Sequence, residues 1–347
     1  MKRNLKDNFL VLLLAVFVLS GCNNGEEIQP DSEKVLDHLV FTEINYVGSW
    51  QADWKNLYSY DQYIKITNPT DHVLYLDGMA LASSGLSTGQ LQNLNHGTDF
   101  RTTHFGAAIL IRFPGKSGET KYPINPGESV FIAKVAHNHT LGDNEELFNK
   151  NSYDLSKVNF EWASEDQLKN DSDFPDNPNV ENMRTVYPIE TPEDAFPQNL
   201  IHETGVLALI RIPAEVSDND MLSNTLYKWA TGWTSLNKTE GGVDKEGGGH
   251  LTDGDHNPVV FLKIPNEWVV DAVQICPQQD YQWSVVGESV EKGCCSVLTS
   301  GMDKVKNPQE VAGKALHRRF DGKKFVDTNN SDVDFEVRPA SLSKKAL

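Results

Sequence analysis

The run Val40-Phe41-Thr42-Glu43-Ile44-Asn45-Tyr46 decides the fold. Val40, Thr42, Ile44 and Tyr46 fall on one side of an extended chain, and Phe41, Glu43 and Asn45 on the other, the period of two that marks a strand. Beyond an aromatic loop holding Trp50, Trp54, Tyr58 and Tyr60, the stretch Tyr63-Ile64-Lys65-Ile66-Thr67 reads as a second strand. The turn Asn68-Pro69-Thr70-Asp71 stops it. A third runs from Val73 to Leu76, breaks at Asp77-Gly78 and resumes through Met79 and Leu81. Further strands are expected at residues 107–113, 129–135, 205–212, 259–264 and 268–275. Between the first two of these lie Pro114-Gly115 and Pro126-Gly127, where proline fixes φ and glycine permits the reversal. Short strands separated by Asn, Asp, Pro and Gly turns predict a mainly β chain folded as a sandwich.

The strand pattern fades over residues 138–200, rich in Asn, Asp, Glu and Pro, which read as a long surface insertion with one short helix near Ser164 to Leu168. Residues 231–258, with Gly241-Gly242 and Gly247-Gly248-Gly249, read as a second insertion. No repeat of fixed period runs through the chain.

Upstream of the first strand, Lys2, Arg3 and Lys6 precede an unbroken apolar run from Phe9 to Leu19, eleven residues long and too short to span a bilayer as a stable helix. It ends in Leu19-Ser20-Gly21-Cys22, which resembles the lipobox of bacterial lipoproteins. The resemblance implies cleavage before Cys22, lipid on that cysteine, and an exported, outer-membrane address. Residues 1–21 are then the signal peptide, 22–38 a flexible acidic tether and 39–347 the body. Asn23-Asn24-Gly25-Glu26-Glu27 resembles the export signal that carries some lipoproteins to the cell surface; it reads equally as a solubilising linker.

The chain carries 31 basic and 49 acidic residues, a net charge of -18. Loss of residues 1–21 removes three bases and one acid and takes it to -20. Such a surface excludes nucleic acid as a partner, because phosphate neutralisation needs clustered Lys and Arg. With Cys22 committed to lipid, Cys276, Cys294 and Cys295 remain in an oxidising compartment. A bond between adjacent cysteines is strained, so the expected disulfide joins Cys276 to Cys294 or Cys295, with three buried unpaired thiols as the alternative.

Three segments carry a wider resemblance. The strands Thr42 to Tyr46, Gln62 to Asn68 and Leu74 to Gly78 are similar to the opening of lamin-tail domains. Gly313-Lys314-Ala315-Leu316-His317-Arg318-Arg319, followed by Asp327-Thr328-Asn329-Asn330-Ser331-Asp332-Val333-Asp334-Phe335, resembles their close. This implies an immunoglobulin-like β-sandwich bracketed by residues 40 and 340. Pro126-Gly127-Glu128-Ser129-Val130-Phe131-Ile132-Ala133, His139, Asp154 to Glu161 and Asp176-Asn177-Pro178-Asn179-Val180 together look like an uncharacterised family of bacterial lipoproteins with such a body. No reaction comes with that resemblance, and fold alone supplies none.

The chemistry-bearing motifs are few. The sequence has no Gly-x-Ser-x-Gly elbow, no His-Glu-x-x-His and no phosphate-cradling loop, so a non-enzymatic role is expected. Two groups could hold a divalent metal: His250, Asp253, Asp255 and His256 in the glycine-rich loop, and His137 with His139, one residue apart as on one face of a strand. For both, a solvated loop is the competing reading. Trp50, Trp54, Trp229 and Trp233 could stack on a flat ligand if exposed, or roof the core if buried. The reading that follows is an envelope lipoprotein acting as a binding module, with an outer-membrane transporter as a fitting partner. Its alternatives are a passive structural lipoprotein, a metal-binding protein or an unrecognised enzyme.

Overall fold

The computed structural model describes residues 36–342, apart from 53–54, 91, 94–98, 143–147, 164–167, 169–173, 188–199, 231–233, 236, 240–241 and 245–259. The first seven-stranded sheet is built from β1 (Val40–Asn45), β2 (Tyr63–Thr67) and later strands; the second begins with β3 (Met79–Ser84) and β4 (His104–Arg112). The first is continued by β5 (Ser129–Ala133), β6 (Phe160–Glu161) and β7 (Glu181–Asn182). The second gains β8 (Arg184–Tyr187), β9 (Gly205–Arg211), β10 (Lys228–Ala230), β11 (Val260–Pro265) and β12 (Val269–Ile275). Helix α1 (Asp218–Ser223) lies between β9 and β10. The chain returns to the first sheet through β13 (Lys314–Arg318), helix α2 (Ser331–Asp334) and β14 (Phe335–Pro339). Strand order is β7-β6-β5-β2-β1-β13-β14 in one sheet and β10-β11-β4-β3-β9-β12 in the other, where β8 also pairs with β4. Among the described residues no helix is long and apolar enough to cross a membrane.

One apolar core joins the sheets: Phe41, Ile44, Ile64 and Leu316 from the first meet Leu81, Ile109, Ile111, Leu209 and Val273 from the second. The protein is therefore a β-sandwich. Strand β1 departs from the simple alternation expected of it. A bulge between Phe41 and Glu43 inserts a residue against β2, so Phe41 and Ile44 reach the same core although three positions apart. All six residues of β1 are buried, on both faces.

The second sheet is covered on its outer face too. Ala80, Ala82, Leu110, Ala208 and Ile210, which alternate with the inter-sheet residues, pack against Leu86, Phe100, Phe261, Val285 and Val286. A sheet buried on both faces explains why Met79–Ser84 is buried throughout.

The described part of residues 138–200 is woven into the sandwich rather than laid on it as the expected surface insertion. The segment supplies β6 and β7 to the first sheet by parallel pairing and β8 to the second, and it buries Tyr153, Leu155, Trp162, Phe174, Met183 and Leu200. The helix expected at 164–168 lies outside the described residues except for Leu168, which is buried. Of residues 231–258, the described part forms short antiparallel pairs: Thr234–Ser235 with Gln92–Asn93, and Asn237–Thr239 with Gly242–Asp244.

Candidate functional site

A cavity of about 790 Å³ opens at the end of the second sheet. Strand β4 carries Arg112 there on the same face as Leu110, away from the inter-sheet core. Register sets Arg184 of β8 directly opposite Arg112. Like charges in that position repel, and Asp218 at the start of α1 lies between them, 2.5 Å from the Arg112 guanidinium and hydrogen-bonded by Arg184 as well. Burial alone would raise the Asp218 carboxyl; the two guanidinium groups outweigh it and hold the group below the usual range.

The rest of the wall is held by local chemistry. Ser217 caps α1 by accepting the N–H of Asp220, while the Asp220 carboxylate accepts the Ser217 N–H at 2.9 Å. On the other side the loop after β4 passes through Gly115 at φ +92°, where a Cβ would stand 2.4 Å from the Asp77 carboxylate. Only glycine fits. Asp77 in turn accepts the N–H of Lys121 and Tyr122, and Ser117 donates to the Ile212 carbonyl at 2.8 Å, so both ends of the loop are pinned.

Three cations, Arg112, Lys116 and Arg184, thus face one carboxylate across a lining that includes Ser117, Asn182, Met183 and Pro213. Arg112 is largely covered, whereas the Arg184 side chain is 62% exposed and can turn to an incoming group. Among the described residues no histidine or cysteine lines the cavity, and the two serines that do are engaged, Ser117 with Ile212 and Ser217 as a cap. Two guanidinium groups and an ammonium around one carboxylate are the chemistry that holds an anion.

The residues singled out from sequence lie elsewhere. His137 and His139 do meet, with ring centroids 6.0 Å apart, but His139 has both nitrogens occupied: Nδ1 accepts from the Tyr58 hydroxyl at 2.9 Å and Nε2 donates to the Val135 carbonyl at 3.0 Å. Burial drives its pKa down to about 4, so it is a neutral core residue. His137 packs on Phe148 and Phe174. Among the described residues no three His, Cys, Asp or Glu side chains gather to hold a metal. Cys22, His250, Asp253, Asp255, His256, Trp54 and Trp233 lie outside the described residues. Trp50 is half-buried, and its carbonyl accepts the side-chain amides of Asn149 and Asn151. Trp229, on β10, pairs in register with Phe261 of β11.

Cys276, Cys294 and Cys295 line a second cavity of about 540 Å³ together with Gln278, Arg319 and Glu336. The disulfide expected between Cys276 and Cys294 or Cys295 is not formed; all three are free thiols. A bridge sets Cys295 beside Ile275, while Cys294 donates to the Gln278 side chain at 3.5 Å. Burial, with Cys276 close by, pushes the Cys294 thiol up to about 12, and burial raises Cys276 and Cys295 as well, which disfavours the thiolate at all three.

Sequence reading passed over Arg112, Arg184 and Asp218 because they come from three separate segments. The one local signal was a charged residue closing an apolar strand just before Pro114-Gly115.

Fold and site together define a β-sandwich protein with an open, cation-rimmed cavity on the outer face of one sheet. The chain belongs to the family described as protein of unknown function (DUF4876), which matches residues 125–341 and so takes in Asn182, Arg184 and Asp218 of the cavity. A crystal structure of a DUF4876 family protein from Bacteroides thetaiotaomicron is similar at 24% identity and a TM-score of 0.65, over 88% of this chain and 72% of the other. That likeness is one of fold. No curated protein matches.

Proposed function

We propose that this protein is an outer-membrane lipoprotein, anchored through Cys22, whose lamin-tail-like sandwich is a non-enzymatic binding module that captures an anionic ligand for an outer-membrane uptake system. The observation that carries the binding reading is the cavity: two surplus cations on a chain of net charge -18, with one arginine still exposed. A carboxylate or phosphate can replace Asp218 as the partner of Arg184 while Arg112 keeps its own bond, so binding does not strand a buried charge. The anchor reading is supported by the basic start, the apolar run and the Leu19-Ser20-Gly21-Cys22 box.

The test is a thermal-shift titration of the whole protein with inorganic phosphate, citrate and galacturonate. At least one should raise the midpoint in a saturable way, with about 2.7 kcal/mol of stabilisation at a hundred times Kd. Arg184→Ala should weaken that binding tenfold or more without lowering the midpoint of the free protein. A flat response to all three, or binding indifferent to Arg184→Ala, removes the cavity as the site and leaves the passive structural lipoprotein as the better reading.

A further inference from the structure

After β13 the chain makes a small hairpin over residues 319–325, closed by an antiparallel bridge between Phe320 and Phe325, whose rings meet at 5.3 Å. Its tip has a fixed shape. The Asp321 carboxylate accepts the backbone N–H of Lys323 at 2.8 Å and of Lys324 at 2.9 Å, and Gly322 sits at φ +98°. The Asp321 carboxylate, though exposed, is engaged by the loop's own backbone, while Phe320, 52% exposed, projects outward with Lys323 and Arg319 exposed beside it, Arg319 lying 3.6 Å from Glu336. Nothing in the sandwich core asks for a solvent-facing phenylalanine there.

An exposed aromatic ring flanked by cations suits a lipid–water boundary, where the ring enters the acyl edge and the cations meet phosphate groups. Two observations favour that partner over any other. The first is where the tether joins: the described body starts at Leu36, and His38 lies 3.3 Å from Asp327, two residues beyond the hairpin. Cys22 is fourteen residues before Leu36, so an anchor at Cys22 keeps this end within about 50 Å of the bilayer even at full extension. The second is sign: on a chain of net charge -18 an anionic membrane repels most of the surface, whereas this tip sets Arg319, Lys323 and Lys324 against the one acid Asp321.

We infer that the hairpin of residues 319–325 is the membrane-facing contact of this protein, laying Phe320 into the interface of an anionic lipid surface and holding the body in a fixed orientation. The inference rests on the lipid anchor proposed above for its geometry.

The experiment uses the lipidated protein reconstituted into brominated phosphatidylcholine vesicles with and without 30% phosphatidylglycerol, reading quenching of a Phe320→Trp variant over the parent. Leu141→Trp, at another exposed apolar position, is the control. The expected result is quenching specific to Phe320→Trp, stronger with phosphatidylglycerol, relieved by 0.5 M salt and reduced about fivefold or more by adding Lys323→Glu. Equal quenching at both positions, or none at Phe320→Trp, overturns the inference. Failure of the anchor reading shows differently, as a chain that carries no fatty-acid label on Cys22. The same quenching measured on that chain added to the vesicles from solution then decides the hairpin's role by itself.

Discussion

Glu161 shows how an ordinary-looking acid becomes a sensor of pH once strand β6 buries it. Its carboxylate accepts the Ala136 N–H at 2.7 Å, which lowers its pKa, but burial dominates, with nearby Asp176 adding to it, and the value rises to about 7. A folded value above the ordinary one means that the group's contribution to stability is fully present below the ordinary carboxylate range, near pH 4.5, and is lost as pH climbs through 7. The loss amounts to about 3 kcal/mol at most. Glu161→Gln keeps an acceptor for Ala136 and cannot ionise. Urea midpoints taken at pH 5.5 and pH 8.5 should therefore show a smaller fall for Glu161→Gln than for the parent. Equal falls would mean that another group sets the slope.

At the level of elements, the strands with a clear period of two were legible: 205–212 and 268–275 were expected, and Gly205–Arg211 and Val269–Ile275 are found. What escaped was the weaving of residues 138–200 into both sheets. Phe160–Glu161 and Glu181–Asn182 are two residues each, too short to alternate, and they pair in parallel, so no hairpin turn announces them. The β1 bulge was hidden for a related reason, since it appears only when Phe41 and Glu43 are set against Ile66 and Lys65. Edge strand β14 also shows its defence only in three dimensions. His317 donates to the Pro339 carbonyl, Arg319 to that of Phe335, and Arg319 and Arg338 both pair with Glu336, which blunts the edge against a further strand. The segment joining β12 to residues 294–295 yields a prediction of its own. Since Cys276, Cys294 and Cys295 are buried or half-buried and unpaired, unreduced protein in denaturant should titrate three thiols from these positions, and native protein at pH 8 should react far more slowly. A count of one thiol would restore the disulfide.

The two sheets are tied by more than apolar contact, and this bears on how the whole molecule unfolds. Arg318 leaves β13 in the first sheet and grips Asp271 of β12 in the second with both carboxylate oxygens at 2.7 Å, while its Nε donates to the Phe41 carbonyl and the Phe41 N–H reaches the same carboxylate at 2.6 Å. Asp327 at 3.4 Å and the face of Phe335 at 4.6 Å complete the enclosure. Because the guanidinium and the carboxylate are both almost wholly buried, removing Asp271 takes the two-oxygen partner from Arg318 and leaves it only the more distant Asp327 and Asp334, at 3.4 and 3.8 Å. Asp271→Ala should cost about 3–5 kcal/mol, a fall of roughly 10 °C in midpoint for a body of this size. Asp271→Leu combined with Arg318→Met should not recover that loss, because Asp327 and Asp334, also buried, then lose the cation they share. Since the clamp and the shared core link the sheets, near-ultraviolet dichroism and tryptophan fluorescence should report one coincident transition in the parent and in each variant. Separate transitions would show that the sheets unfold independently. A loss under about 1 kcal/mol in Asp271→Ala would show that Asp327 and Asp334 satisfy Arg318 without Asp271 and that the clamp between the sheets is dispensable.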